Sequence, residues 1–289
     1  MSNPQTVSMR GVALAGAAVA VLAAACGSSG SYTTVVSKIR ITGHVVVGTK
    51  WDQPSLGLLI GPGDPQGFDV DVARYVVDHL ARGRHVDITW RESPSSAREA
   101  LLQNGSVDLV FASYSITEAR LPKVTFGGPY VLVQQDTMVR AGDARIKKVA
   151  DLRGRRLCLA EGSNSYRRIV DPPPDGKLDL PAALVDAANY SDCVRKLSDG
   201  ELDAVSTENL LLAGFAQQDP GRFRLLNDPV SEEKWGVGIK KGDTATCEAV
   251  NQAIASMWHD GTATRLLHKW FGKTGLELPS RLPKPQGCA

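Results

Sequence analysis

Hydrophobic and polar positions change period several times along the chain. Residues Gly11 to Ala25 are an unbroken run of Gly, Ala, Val and Leu. That run is short for a bilayer-spanning helix, which needs about 20 residues. From Ile41 to Val47 β-branched residues cluster and predict a buried strand. Residues Gly57 to Gly67 hold four Gly and two Pro and predict a loop. Phe68, Val72, Tyr75, Val76 and Leu80 then recur at helical spacing, with Asp69 and Asp71 in the first turn, where the helix dipole favours acids. Val86–Trp90 predicts a strand, Ala97–Asn104 a helix stopped at Gly105, and Val107–Ala112 a third strand. Alternation of this kind implies a parallel sheet with right-handed crossovers.

The pattern restarts after residue 150. Arg156–Ala160 predicts a strand and Tyr166–Val170 a short helix, before Pro172-Pro173-Pro174 breaks the chain. A helix through Val194–Leu197 ends at Gly200, and Leu202–Ser206 predicts a strand. Helix Asn209–Gln218, strand Arg222–Leu226 and strand Trp235–Ile239 follow. Two last helices, about residues 245–259 and 262–270, have no sheet of their own and must pack back on the first unit. The reading is α/β with two lobes, the second inserted into the first, joined by crossings near Tyr130–Gln135 and Pro229–Lys234. Lobe 1 is residues 38–131 and 233–289, and lobe 2 is residues 132–232.

Composition adds little except at the amino end. Apolar residues are 43% and charged residues 22% of the 289, near globular averages, and the net charge is +2. That balance leaves no electrostatic footprint for nucleic acid. Arg10 is the one charge in the first 25 residues, ahead of the short apolar run and small residues, which together describe a secretory signal peptide over residues 1–25. The run ends Leu22-Ala23-Ala24-Ala25-Cys26-Gly27 and resembles a bacterial lipobox. Cys26 is therefore expected to carry lipid, with residues 26–37 as anchor and Gly/Ser-rich tether, and the body held on the outer face of the cell membrane. Four cysteines remain in an exported chain, which implies two disulfides from three possible pairings. The pairing chosen is Cys158–Cys193, within one lobe, and Cys247–Cys288, tying the tail to a helix.

Ligands of open parallel sheets bind beyond the carboxyl ends of strands. Three polar segments fall at such ends: Val47–Trp51, Ala112–Arg120 and Ala160–Ser165. Arg120 offers a planar fork suited to a carboxylate, and the third segment opens a helix whose N–H groups can meet an anion. Asp64, Asp69 and Asp71 belong to a turn and a helix start rather than to a metal site, and the five His are scattered. Trp258 and Trp270 are expected in the core.

These segments carry a resemblance. Val47-Gly48-Thr49-Lys50-Trp51-Asp52-Gln53-Pro54, Gly67-Phe68-Asp69-Val70-Asp71-Val72-Ala73, Ser113-Tyr114-Ser115-Ile116-Thr117-Glu118-Ala119-Arg120, Asp203-Ala204-Val205 and Trp270-Phe271-Gly272 stand in the order and spacing of a known family. The chain resembles the polar amino-acid branch of bacterial solute-binding proteins, the capture subunits of ABC importers, and within it the glutamate-binding lipoproteins of actinobacteria. The resemblance implies a two-lobed, periplasmic-binding-protein-like clamp with no cofactor, metal or catalytic step, working as a monomer.

It also implies roles. Arg120 would hold the ligand α-carboxylate, shared with Ser115, and Ser113 would accept from the α-ammonium. Glu208, where the family usually has Asp, would pair with that ammonium. Ser163 and Asn164 would close from the second lobe. Ser95, Arg98 and Lys50 would receive a side-chain carboxylate, with Tyr190 adding a hydroxyl. The expected ligand is L-glutamate or L-aspartate, and the expected partner is an ABC permease or, alternatively, a membrane sensor. A dehydratase would need an acid/base pair beside a cyclic substrate, whereas these residues form a clamp for a zwitterion.

Overall fold

The structure, a computed structural model, describes Met1, residues 32–174 and residues 176–288. Cys26 and the apolar run before it lie outside the described residues. Among the described residues no helix is long and apolar enough to cross a membrane.

The first element among the described residues is helix α1, Val35–Thr42, where a tether and then a strand were expected. Two local causes override the β-branched composition. Thr34 and Ser37 form a reciprocal capping box, each side chain accepting from the other's backbone N–H at 3.2 Å. The orphan N–H groups of Val35 and Val36 donate to Asp243 Oδ2 at 2.8 Å and Thr246 Oγ1 at 3.0 Å. Val35, Val36 and Ile39 are buried, and Gly43, at φ 67°, ends the helix. Residues 35–37, read as tether, are therefore helical, and the strand starts at His44.

Strand β1 (His44–Thr49) leads into the two-residue strands β2 (Asp52–Gln53) and β3 (Gly57–Leu58), which pair as a small hairpin. Helix α2 (Phe68–Ala81) buries Phe68, Val72, Val76 and Leu80 along one stripe, as the period requires. Strand β4 (Asp87–Glu92), helix α3 (Arg98–Gln103) and strand β5 (Leu109–Phe111) complete the first alternation. β4, β1 and β5 are parallel neighbours.

The 17-residue strand β6 (Val124–Arg140) then runs from one lobe into the other. In lobe 2 come β7 (Arg156–Ala160), α4 (Ser165–Val170), β8 (Ala183–Ala187), α5 (Tyr190–Ser198), β9 (Val205–Glu208), α6 (Asn209–Gln218) and β10 (Phe223–Leu225). β11 (Ser231–Lys240) returns the chain, and α7 (Thr244–His259) and α8 (Thr262–Phe271) follow. β11 is antiparallel to β5 and to β6, so the lobe 1 sheet is mixed rather than wholly parallel. Strand β8 was not foreseen, since its alternation is weak and most of it is exposed.

Two paired segments join the lobes, with rungs from Val131↔Trp235 to Gln135↔Ser231. The second half of β6 also pairs with β9 and β10, while Leu157 of β7 bridges Ala204, the residue just before β9. The core of lobe 1 lies under α2, α7 and α8, and Trp258 is buried there with Nε1 donating to Tyr130 O at 3.0 Å. Trp270 is only half-buried, and its Nε1 donates to Asp71 Oδ2 at 2.7 Å, so it is a rim residue rather than a core one.

Disulfides join Cys158 to Cys193 and Cys247 to Cys288. The first links β7 to α5. The second returns the tail to α7 after Leu276, which lines a cavity together with Ala213, Ala216 and Phe223 of lobe 2.

Candidate functional site

Strand ends supply the site. In lobe 1 the segments after β1, β4 and β5 carry Lys50, Ser95 and Ser113–Ser115, with Arg98 at the start of α3 and Arg120 in the turn beyond. In lobe 2 the segment after β7 carries Ser163 and Asn164, β9 ends on Glu208, and α5 begins at Tyr190.

Three cations gather in lobe 1, and all are buried. Lys50 is 4% exposed, and its Nζ donates to Ser95 Oγ at 2.8 Å. Burial, and after it the Arg98 charge, pushes the Lys50 ammonium down to about 7. Arg98 is 3% exposed, and its Nη1 donates to Ala112 O at 3.0 Å. Its guanidinium is pushed down to about 10, by burial first and then by Arg120. Arg98 Nε is buried with no hydrogen-bond partner among the described residues. Arg120 donates from Nη1 to Ser115 O at 2.8 Å, and its Nε lies 3.4 Å from Glu99 Oε1. Both guanidinium groups lie over the Tyr114 ring, 4.0 and 5.1 Å from its centre, and the Tyr114 hydroxyl donates to Glu99 at 2.8 Å.

Ser113 has φ 44°, a left-handed backbone costing on the order of 1 kcal/mol for a non-glycine residue. Two bonds hold it. Its N–H donates to Asp69 Oδ2 at 2.7 Å, and its hydroxyl donates to Gln53 Oε1 at 2.9 Å. Asp69 also accepts from the Tyr130 hydroxyl at 2.8 Å, and burial pushes its carboxyl up to about 6. The helix start explained Asp69 at the sequence level; its actual work is to fix Ser113.

Across the cleft, Glu208 accepts from Ser115 Oγ at 2.8 Å and from Thr207 Oγ1. The Ser115–Glu208 bond joins the two lobes beside the crossing strands, since Ser115 bridges Trp235 and Glu208 pairs with Gln135. Tyr190 is buried, and its hydroxyl donates to Ser165 Oγ at 3.0 Å. Ser163 and Asn164 reach the cleft, where they line a cavity of about 630 Å³ together with Ser95, Thr117 and Arg120.

Of the ten predicted residues, Ser95, Arg120, Ser163 and Asn164 line this cavity, while Lys50, Arg98, Ser113, Ser115, Tyr190 and Glu208 are buried and lie outside its lining. Lys50, Ser95, Arg98, Ser113, Ser115 and Arg120 belong to lobe 1, and Ser163, Asn164, Tyr190 and Glu208 to lobe 2. Gln53, Asp69, Tyr114, Ser165 and Thr207 were not foreseen as members. Each supports a neighbour, and a residue type alone carries no sign of that. Among the described residues no cluster of His, Cys, Asp and Glu could hold a metal. Asp64 pairs with Arg74, and Asp71 with Lys269.

The model of the bacterial extracellular solute-binding proteins, family 3, matches residues 45–273. The chain belongs to this family. It is 39% identical to the glutamate-binding protein GluB of Corynebacterium glutamicum, over 98% of this chain and 97% of that one. It is 30% identical to the ABC transporter glutamine-binding protein GlnH of Bacillus subtilis, over 87% and 92% of the two chains. Among solved structures, an ancestral arginine-binding protein bound to glutamine superposes with a TM-score of 0.71 at 29% identity. That match covers 80% of this chain and 99% of the other. The fold is the two-lobed α/β clamp of such binding proteins.

Proposed function

We propose that this family member captures an acidic amino acid, L-glutamate or L-aspartate, between its lobes. It delivers the ligand to the membrane subunits of an ABC importer. It works as a monomer without catalysis, exported by its amino-terminal signal and held to the outer face of the cell membrane by lipid on Cys26. The observation that carries the ligand reading is the gathering of Lys50, Arg98 and Arg120, all buried, within interaction distance of one another in lobe 1.

Three buried cations repel one another and lose hydration, and a ligand with two carboxylates compensates both effects. In this reading Arg120 and Ser115 take the α-carboxylate. Ser113 and Glu208 take the ammonium, with Glu208 exchanging its Ser115 bond for it. Lys50, Ser95 and Arg98 take the side-chain carboxylate, which also gives Arg98 Nε an acceptor. Ser163, Asn164 and Tyr190 close from lobe 2. Similarity to the glutamate-binding protein of Corynebacterium glutamicum supports the same ligand class. Dialysis of the full-length protein against an equimolar mixture of the twenty amino acids tests the reading. Glutamate or aspartate should be retained, and retention of an amide or a basic amino acid instead overturns the acidic assignment.

A pH dependence follows from Lys50. Without ligand its ammonium titrates near 7, and a ligand carboxylate beside it raises that value. Binding an acid above pH 7 therefore takes up a proton. Glutamate affinity should be flat below about pH 7 and fall by up to about tenfold per pH unit above it, levelling once pH passes the raised value. Lys50→Met should remove the slope. Titrations between pH 6 and 9 in buffers of different ionisation enthalpy read both the affinity and the proton count.

A further inference from the structure

The lobes also touch through residues that are not in the ligand set. The β2–β3 hairpin of lobe 1 seats on α5 and α6 of lobe 2. Ser191 Oγ donates to Asp52 O at 2.7 Å and to Asp52 Oδ2 at 3.2 Å, and Ser191 N–H donates to the same carboxylate at 3.5 Å. Ser191 is the second residue of α5, so this N–H is one that the helix itself cannot satisfy. The carboxylate also meets the positive end of the helix. Beside it, Pro54 O lies so close to Gly214 of α6 that a Cβ there would run into it. Elsewhere along the cleft, Gly162, at φ 69°, rests on the backbone of Ser95 and Ser96, where again a side chain would not fit.

We propose that the Asp52–Ser191 pair is a closure latch, a positioning contact that holds the lobes together without touching the ligand. Asp52 follows Lys50 and Trp51, and Ser191 follows Tyr190, so the latch also fixes the register in which the two walls of the site face each other. The inference rests on the capture reading only in that a ligand is held between the lobes. Its thermodynamic signature is that of a shifted equilibrium. A contact present only in the closed form multiplies the affinity of every ligand by the same factor, because it changes the fraction of protein able to hold any of them. A contact to the ligand would instead change the ratio between ligands.

Asp52 interacts with the Lys50 ammonium as well, so changing it alters the charge of the pocket. Ser191→Ala removes only a hydroxyl and is the cleaner variant, with Ser191→Thr restoring the donor. The probes are L-glutamate, L-aspartate and L-glutamine, titrated into the full-length protein and followed by stopped flow. Each probe that binds should weaken by the same three- to tenfold in Ser191→Ala, the value of about one hydrogen bond, with the loss in koff. Affinity ratios should stay fixed, and Ser191→Thr should recover most of the loss. Small-angle scattering of the ligand-free protein should show a larger radius of gyration for Ser191→Ala than for wild type. Unchanged affinities, or a loss confined to one probe, overturn the latch. If none of the three probes binds, the capture reading fails, and an unchanged ligand-free radius then overturns the latch on its own.

Discussion

Arg120→Ala should abolish binding of every amino acid, with Kd rising at least about a hundredfold. The expectation follows from what the guanidinium does in lobe 1. Arg120 is 6% exposed, and its fork is steadied by Ser115 O, Glu99 and the Tyr114 ring. A fork held in this way meets an α-carboxylate without loss of side-chain freedom, and every amino acid presents that group. Arg120→Lys keeps the charge but loses the planar pair of donors, so it should recover only part of the affinity. Because the α-carboxylate is common to all ligands, glutamate, aspartate and glutamine should fall together. Retention of wild-type glutamate affinity in Arg120→Ala would remove the α-carboxylate assignment.

Arg98→Met should be selective where Arg120→Ala is general. Methionine keeps the apolar stem against Tyr114 and removes the charge. A ligand carboxylate would then lose one buried partner, a change of about 2–4 kcal/mol, or roughly thirtyfold to a thousandfold for glutamate. A neutral amide makes no ion pair there, so glutamine should change by less than about threefold. Arg98 is the second largest cause holding the Lys50 ammonium down, so its removal should also move the pH at which glutamate binding weakens upward from about 7. Two readouts, an acid-to-amide ratio and a pH profile, thus bear on one side chain. Equal losses for glutamate and glutamine would make Arg98 a structural support of the Ala112 turn instead.

Most of the architecture was legible because its helices and inner strands obey simple periods. The stripe on α2 and the limits of β7 and α6 follow directly from residue order. Elements whose cause is tertiary were not legible. α1 is β-branched by composition and helical because α7 offers Asp243 and Thr246 to its first N–H groups. β6 runs unbroken through the crossing near Tyr130–Gln135 because β11 pairs with it as far as Gln135 and β9 and β10 pair with it beyond.

The site divides in the same way. Charged and hydroxyl residues at strand ends announce themselves by type and place, which is how Lys50, Ser95, Arg98, Ser115 and Arg120 were found. Supporting groups do not. Asp69 reads as an ordinary helix-start acid, yet it is fully buried and holds Ser113 in a left-handed backbone. Gln53 and Asp52 sit in a short hairpin with no period at all, and only the folded contacts give them work.

The central claim is that the buried cations select an acidic side chain. Isothermal titration of the full-length protein with L-glutamate and L-glutamine near pH 6.5 tests it most directly, since the two ligands share every atom position except for one oxygen replaced by an amide nitrogen. The account predicts that glutamate binds at least about a hundredfold more tightly, because an amide leaves Lys50 and Arg98 without a countercharge. Glutamine binding as tightly as glutamate, or more tightly, would contradict it.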